Sequence, residues 1–228
     1  LKQRLAQPAD VVDLGGISDL TGISVDGDTV TIGAMTTHAT VAASADLKSK
    51  IPALAGLADG IGDPQVRNRG TIGGSIANND PAADYPSACV GLGATIVTDQ
   101  REITADDFFV GMFETALEEG EVVTAVKFPV PDKAAYMKFP NPASRYASVG
   151  VFVSEGSGGC RVAVTGAGQD GVFRVGEMES ALSSGFNAEA VAGIAVSADD
   201  LNSDIHASSE YRAHLVTVMA KRAVAKAG

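Results

Sequence analysis

The sequence contains no tryptophan and only two cysteines among its 228 residues. Cys89 and Cys160 form no C-x-x-C pair, so they supply neither a disulfide framework nor a thiolate metal site. We predict that both are buried thiols in a reducing compartment. Histidine is scarce as well, and no H-E-x-x-H motif accompanies His38, His206 or His214. The sequence therefore predicts no metal site, and we expect His206 and His214 at the surface or at a helix end.

Basic residues are also in short supply, with 17 Lys and Arg against 28 Asp and Glu and a formal net charge of -11. Nucleic acid and anionic membrane surfaces are poor partners for such a chain, since both require a basic face. No apolar run approaches the roughly 18 residues of a membrane span. We expect a cytoplasmic protein with enough hydrophobic residues, 45 %, for one large or two small domains.

The most distinctive stretch is 61–86, IGDPQVRNRGTIGGSIANNDPAADYP. At its centre, Gly73 and Gly74 allow close approach of the backbone to an anion. Small residues and hydrogen-bonding side chains surround them without an apolar period, which is typical of a ligand-binding loop. A Gly-Gly pair is also typical of a two-residue hairpin turn, and spacing alone favours that interpretation. Neither G-x-x-x-x-G-K-[ST] nor G-x-G-x-x-G before a helix is present to decide between the two.

The run T-I-G-G-S-I-A-N-x-D-P-A-A-D-Y-P, preceded by Q-V-R-N-R-G, resembles the flavin-binding segment of the medium subunits of molybdenum hydroxylases. This family includes the carbon monoxide dehydrogenase medium subunit and the FAD domain of xanthine dehydrogenase. The resemblance implies that one group of residues wraps the pyrophosphate and ribityl chain of FAD: Thr71, Ile72, Gly73, Gly74, Ser75 and Asn78. It also implies that Asp84 bonds the adenosine part and that Ile61 is an apolar residue beside the cofactor.

Two further cofactor residues follow from the same resemblance. Val123, in a strand rich in β-branched residues, corresponds to the position that packs on the isoalloxazine ring, although the neighbouring position stays open. Lys138 corresponds to a lysine close to the flavin. Its alternative role is that of an ordinary surface lysine on an edge strand.

Periodicity and turn signals predict the remaining elements. Residues 23–25 and 30–32 alternate around Asp26-Gly27-Asp28 and predict a hairpin. We expect helices at 37–45, 52–60, 175–182, 188–195 and 209–227, a short buried strand at 11–14, and further strands at 94–97, 122–128, 149–153 and 160–164. Asp106 and Asp107 are expected in a solvated loop anchored by aromatic residues. Tyr211, Leu215, Val218 and Met219 are expected on one face of the last helix.

The predicted fold class is α+β in two units that meet at 129–132. Residues 1–132 are expected to be the latter part of an FAD-binding domain of the vanillyl-alcohol oxidase/p-cresol methylhydroxylase type, with a mixed sheet and flanking helices. Residues 133–228 are expected to be a small antiparallel sheet with packed helices, similar to the carbon monoxide dehydrogenase flavoprotein C-terminal domain. Composition supports only the α+β class, and the named folds come from the resemblance. Residues 204–212 also resemble the C-terminal signature of this family, and we take this family-like segment as evidence for the fold alone.

The start of the chain carries one more expectation. Residues 1–5 read as the end of a helix, and in the family this position follows a second glycine-rich loop of the form A-G-G-x-S. We expect such a loop upstream, on the other side of the FAD pyrophosphate. We therefore expect these 228 residues alone to hold no stoichiometric FAD.

The resemblance implies an electron-transfer flavoprotein subunit rather than a chain that acts on the substrate. The molybdenum cofactor is expected on a large molybdopterin-binding subunit and two 2Fe-2S clusters on a small iron–sulfur subunit, because this chain has no cysteine array. FAD would pass the electrons to NAD or a quinone, in a dimer of heterotrimers. Two alternatives stay open: an interaction module that no longer binds FAD, and a phosphate- or nucleotide-binding enzyme of another class.

Overall fold

The computed structural model describes residues 8–228, and the helix end predicted at 1–5 lies outside them. Residues 8–129 form seven strands: β1 (Ile23–Asp26), β2 (Thr29–Gly33), β3 (Thr95–Thr98), β4 (Glu102–Thr104), β5 (Phe109–Gly111), β6 (Glu114–Thr115) and β7 (Val123–Pro129). The same part forms seven helices: α1 (His38–Ala43), α2 (Ala45–Lys50), α3 (Pro52–Asp59), α4 (Pro64–Arg69), α5 (Ile72–Asn78), α6 (Tyr85–Leu92) and α7 (Ala105–Phe108).

The remainder forms four strands and three helices: β8 (Lys133–Pro140), β9 (Ala147–Gly156), β10 (Gly159–Thr165), β11 (Phe173–Arg174), α8 (Gly176–Ser184), α9 (Ala188–Ala192) and α10 (Ser209–Ala227). A five-stranded sheet has the order β1-β2-β7-β3-β4, and a four-stranded sheet has the order β11-β10-β9-β8. The α+β class is confirmed. The first sheet was expected to be mixed, but the strand pairs of both sheets in the described residues are antiparallel.

Local sequence explains several elements directly. Gly27, with φ +56°, makes the turn between β1 and β2, and Val30 and Ile32 alternate into the core as predicted. Pro52 occupies the first turn of α3, where its missing N–H is not needed, and Gly60 ends the helix. The hairpin, this helix and the final helix are therefore where the sequence predicts them.

Helix α6 lies between the two sheets, and all eight of its residues are buried. A helix that is apolar on every side needs neighbours all round, and here β9 and β10 cover one side. The Gly91 carbonyl accepts a 2.6 Å hydrogen bond from Ser154 on β9, and the Ala83 carbonyl accepts one of 2.6 Å from Thr165 on β10. The two sheets thus share a buried layer, and the division at 132 stays a prediction.

The segment 204–212 ties α10 to the second sheet. Arg212 is buried, and its guanidinium donates to the carbonyls of Ser148 and Gly166. It also donates to the Asp204 carboxylate at 2.8 Å. This family-like segment therefore has a structural role, because its buried arginine fastens α10 to the second sheet. No chemistry was assigned to it from the sequence.

Several sequence predictions were wrong. Residues 11–14 form no strand, because Val11 and Val12 are exposed and Leu14–Gly16 is a short 3-10 helix. The predicted helix 37–45 ends earlier, since Ser44 caps a separate helix, α2. Asp106 and Asp107 lie on the short helix α7 rather than in a loop. Asp106 is not simply solvated, because Arg161 and Arg174 both bond to it.

Two predictions about side-chain burial can be compared in the same way. Cys89 and Cys160 are buried free thiols, as predicted. On α10, Leu215 and Met219 are buried, but Tyr211 is exposed and contacts the ring of Phe139 edge-on. No helix of residues 8–228 has the length and hydropathy that a membrane crossing requires.

Candidate functional site

A cavity of about 570 Å³ lies where the loop after β8 meets the helices of the first unit. Helices α1, α4 and α5 and the turns beside them form one side, and Ser144, Arg145 and Tyr146 come from the β8–β9 loop. The full lining is His38, Ile61, Gly62, Val66, Arg69, Gly70, Thr71, Gly74, Ser75, Asn78, Asp80, Ala83, Asp84, Ser144, Arg145 and Tyr146. Small and polar residues predominate, with an apolar patch from Ile61 and Val66.

The structure brings most of the predicted cofactor residues to this cavity. Six of the ten line it, namely Ile61, Thr71, Gly74, Ser75, Asn78 and Asp84. Ile72 and Gly73 are buried behind them. Lys138 is bonded to Asp84, and Val123 is buried in the core of the first unit, where it pairs with Thr98 on β3. The role of each residue toward FAD stays a prediction.

The Gly-Gly stretch is neither a loop nor a hairpin turn but the first turn of helix α5. Thr71 is the N-cap, and its hydroxyl accepts a 3.1 Å hydrogen bond from the Gly74 N–H. The N–H groups of Ile72 and Gly73 donate to the carbonyls of Thr36 and Ala34. The backbone donors expected to hold an anion are therefore already bonded within the chain, and anion contacts fall to side chains.

The two glycines are needed for different reasons. A Cβ at Gly73 would lie 2.5 Å from the Ala34 Cβ and 2.8 Å from the Ala34 carbonyl oxygen, so this glycine permits α5 to pack on the chain after β2. Gly74 is exposed on the cavity wall, and a Cβ there would meet the Thr71 hydroxyl at 3.1 Å. Of these two glycines, only Gly74 borders the open cavity and so leaves room there for a ligand.

Three cationic side chains fix the turn that carries Ile61. Lys138 donates to the Gly60 carbonyl at 2.9 Å, and Arg67 donates to the Ile61 carbonyl at 3.0 Å. Both Arg67 and Arg145 donate to the Gly62 carbonyl, each at 3.2 Å. Side chains from α4, from β8 and from the β8–β9 loop thus donate to three successive backbone carbonyls, and these hydrogen bonds position Ile61 at the cavity wall.

Asp84 forms a buried cluster with Tyr136 and Lys138 of β8. Its carboxylate accepts hydrogen bonds from the Tyr136 hydroxyl and, at 3.1 Å, from the Lys138 ammonium. Burial raises the pKa of Asp84, and the nearby Lys138 and Tyr136 oppose that shift. Although Asp84 precedes α6, its side chain makes no capping bond. The Lys138 side chain is only 11 % exposed, so Lys138 is not an ordinary surface lysine.

Ten residues of the lining were not predicted, and four of these bring a cationic or ring side chain: His38, Arg69, Arg145 and Tyr146. The two arginines bring positive charge to the cavity of an acidic chain, and the exposed ring of Tyr146 provides an aromatic surface. Arg145 has a left-handed φ of 63°, which no sequence signal indicates. Arg69 belongs to the Q-V-R-N-R-G run, where no role was assigned to it, and the other three lie outside the motifs discussed above. Only their position in the folded chain identifies these four residues as part of the lining.

His38 makes the stability of the folded chain depend on pH. Burial, assisted by the charge of Arg67, lowers the pKa of His38 from 6.5 to about 4. The unfolded chain therefore binds a proton between these two pH values that the folded chain does not bind. We expect stability to fall as pH drops from 6.5 toward 4, and we expect His38→Phe to remove part of that loss. Urea unfolding at several pH values measures it, with exposed His206→Phe as control. Equal pH dependence in the two variants would contradict the assignment.

Comparison with known proteins identifies the family. Residues 1–131 match the family described as the FAD binding domain in molybdopterin dehydrogenase. The nicotine 6-hydroxylase medium subunit of Paenarthrobacter nicotinovorans is 36 % identical over 242 residues, which cover 100 % of this chain and 85 % of that relative. The carbon monoxide dehydrogenase medium chain of Afipia carboxidovorans is 37 % identical over 246 residues, covering 100 % and 84 %.

Solved structures give the same result. Reconstituted CO dehydrogenase from Oligotropha carboxidovorans matches with a TM-score of 0.87 and 33 % identity, over 99 % of this chain and 84 % of that one. Quinoline 2-oxidoreductase from Pseudomonas putida 86 matches with a TM-score of 0.86 and 28 % identity, over 100 % and 84 %. The resemblance stated from the sequence is confirmed, and so is FAD as the cofactor of the family. The chain belongs to the family of FAD-binding domains in molybdopterin dehydrogenases.

Proposed function

We propose that this chain is the FAD-carrying medium subunit of a molybdenum hydroxylase and that it relays electrons within that complex. Electrons enter from an iron–sulfur cluster on a small subunit, which is supplied by a large molybdopterin-binding subunit, and they leave to NAD or a quinone. The observation that supports this most is the gathering of six predicted cofactor residues around one cavity. The division at 132, a dimer of heterotrimers and a cytoplasmic location belong to the same proposal.

The residues around the cavity fit FAD in their chemistry. A pyrophosphate carries two negative charges, and the residues that line the cavity include two cations, Arg69 and Arg145, and two hydroxyl residues, Thr71 and Ser75. Gly74 has no side chain, so the wall is open at this position and leaves room for the pyrophosphate. Ile61 and Val66 offer apolar contacts to a flat ring. The donor set and the open wall thus suit a dinucleotide with an apolar ring.

The chain's own contribution is binding, orientation and electrostatics. When bound, FAD supplies the capacity to accept and release two electrons. Lys138 and Arg145 donate to the carbonyls of Gly60 and Gly62 and so hold Ile61 at the cavity wall. Lys138 lies on β8 and also pairs with the buried Asp84, which joins this wall to β8. A wall anchored from both units fixes the position of the cofactor, which sets the distance over which electrons are transferred. Val123 is buried in the core and does not line the cavity, so its contact with the isoalloxazine ring stays a prediction.

The test is the flavin content of the assembled complex. We expect the full chain, co-expressed with its two partner subunits, to purify with one FAD per copy. The absorption spectrum should show flavin bands near those of free FAD, and heat-released flavin gives the stoichiometry. A complex that assembles without flavin would support the interaction module instead. A different co-purified nucleotide would support an enzyme of another class.

A further inference from the structure

Two buried polar atoms at the cavity wall have no hydrogen-bond partner. They are the Nδ1 atom of His38 and the hydroxyl oxygen of Tyr85, and no described residue bonds to either. Native proteins pair almost all such groups, because an unpaired polar atom away from water costs free energy. His38 is 5 % exposed and Tyr85 is 0 % exposed, so neither atom is solvated by bulk water. Within residues 8–228, the fold thus leaves these two groups to each other or to a ligand.

The two residues contact each other, and their hydrogen-bonding capacities are complementary. Their ring centroids are 5.3 Å apart. Burial raises the pKa of Tyr85 well above its ordinary value, so the hydroxyl keeps its proton and can donate. Burial and the charge of Arg67 lower the pKa of His38 to about 4, so the imidazole is uncharged at neutral pH. A neutral imidazole has one N–H and one bare nitrogen, so Nδ1 can accept from Tyr85 while Nε2 carries the hydrogen.

The other nitrogen of His38 lies beside Gly70 at the cavity wall. Both residues line the cavity, and the backbone N–H of His38 donates to the Gly70 carbonyl at 3.0 Å. A Cβ at Gly70 would lie 2.5 Å from Nε2 and 3.2 Å from the Val66 carbonyl oxygen. The missing side chain of Gly70 therefore makes room for the imidazole next to Val66. With Nδ1 bonded to Tyr85, this wall would present an N–H group at Nε2.

The surroundings of Nε2 indicate which kind of group it binds. Ile61 and Val66 form the apolar patch of the cavity, which suits a flat ring. His38 adjoins Val66, so its N–H would meet the edge of a ring that rests on this patch. The cations of the lining, Arg69 and Arg145, suit phosphate groups. An uncharged donor beside the apolar patch suits a carbonyl group instead, since a carbonyl accepts an N–H without a counter-charge.

We propose that His38 donates its Nε2–H to a carbonyl group of the isoalloxazine ring and that Tyr85 holds the imidazole in the required tautomer. The isoalloxazine ring carries two carbonyl groups, whereas the adenine ring of FAD carries none. His38 is thus a binding residue for the cofactor, and Tyr85 is a positioning residue that acts through Nδ1. This inference rests on the proposed function and assigns to its site two residues that the sequence resemblance did not.

The test combines a variant of the chain with an altered cofactor in the assembled complex. Flavin is removed from the complex, and FAD is titrated back in parallel with two analogues in which sulfur replaces one or the other ring carbonyl oxygen. Sulfur is a weaker hydrogen-bond acceptor than oxygen. We expect His38→Phe to weaken the binding of FAD about tenfold and the binding of one analogue much less. His38→Gln keeps an N–H donor on its side chain and should restore most of the affinity.

Tyr85→Phe tests the positioning role, because it deletes only the hydroxyl. We expect FAD affinity to fall severalfold. The melting temperature of the flavin-free complex should not fall, since the deleted hydroxyl has no partner in the described residues. A lower melting temperature with unchanged affinity would show a structural role instead and overturn this part of the inference. The matched control is Tyr211→Phe, which alters an exposed tyrosine on α10 and should change neither quantity.

The analogues also separate this inference from the proposed function. Unchanged FAD affinity in an assembled His38→Phe complex would overturn the inference, and so would an equal loss of affinity for FAD and both analogues. If His38→Phe does not assemble, the native complex decides, because equal affinity for FAD and both analogues would contradict a hydrogen bond to either carbonyl. A native complex that assembles without flavin would instead refute the proposed function.

Discussion

Gly74→Val is expected to abolish FAD retention by the complex while the chain keeps its fold. Gly74 is exposed on the cavity wall, and a side chain there would occupy the space that a pyrophosphate needs. A Cβ at Gly74 would meet the Thr71 hydroxyl at 3.1 Å, a tight contact that a small shift of this hydroxyl must relieve, and the loss of a glycine from a helix interior offsets that cost by about 1 kcal/mol. The measurement is flavin per copy of the chain, together with the melting temperature.

The matched control for this experiment is Gly56→Val. Gly56 lies on α3, is exposed, and has no neighbouring atom within 4 Å of the position that its Cβ would take. It therefore tests what a β-branched residue does in a helix of this unit, away from the cavity. We expect full flavin content for Gly56→Val. If the Gly74→Val complex retained one FAD per copy, α5 would not be part of the cofactor site.

Asp84→Ala is expected to give the largest loss of stability. The substitution leaves the Lys138 ammonium, whose side chain is 11 % exposed, without its carboxylate, and it removes the acceptor of the Tyr136 hydroxyl. Removing one partner of a buried ion pair costs about 3–5 kcal/mol. From the predicted contact with the adenosine part, we also expect FAD to bind about ten- to a hundredfold more weakly. Urea unfolding and flavin titration measure the two effects separately.

A second substitution distinguishes the buried charge from other causes. Asp84→Ala combined with Lys138→Met removes both charges, so much of the lost stability should return. Asp80→Ala is the control for a carboxylate on the cavity wall, since Asp80 bonds to the N–H of Ala82 through one oxygen. If Asp84→Ala unfolded at the same urea concentration as the native chain, the cluster with Lys138 and Tyr136 would contribute no stability.

The sequence predicted those parts of the fold that depend on neighbouring residues. The hairpin at Gly27, helix α3 with its first-turn Pro52, and α10 all follow from local periodicity and turn chemistry. Helix α5 was missed because two glycines in seven residues contradict helix propensity. Tertiary packing overrides that propensity here, since Gly73 lies against Ala34.

For the site, resemblance predicted positions but not their contacts. Asp84 lies 52 positions before Tyr136 and 54 positions before Lys138 in the chain, so no local pattern reveals that these residues pair. The same holds for Arg145, which reaches Gly62 across 83 positions. Predicting such contacts requires the packing of the two sheets around the buried helix α6, which no single motif encodes.

The adjacent glycines of α5 provide a diagnostic for reading the sequences of other members. Folding constrains Gly73, since any side chain there displaces the Ala34 backbone, whereas the proposed cofactor role would constrain Gly74. A descendant that kept this fold as a scaffold but stopped carrying a flavin would be free to vary the second glycine and not the first. Replacement of the residue equivalent to Gly74, with its neighbour retained, would therefore mark a member that has lost its redox role.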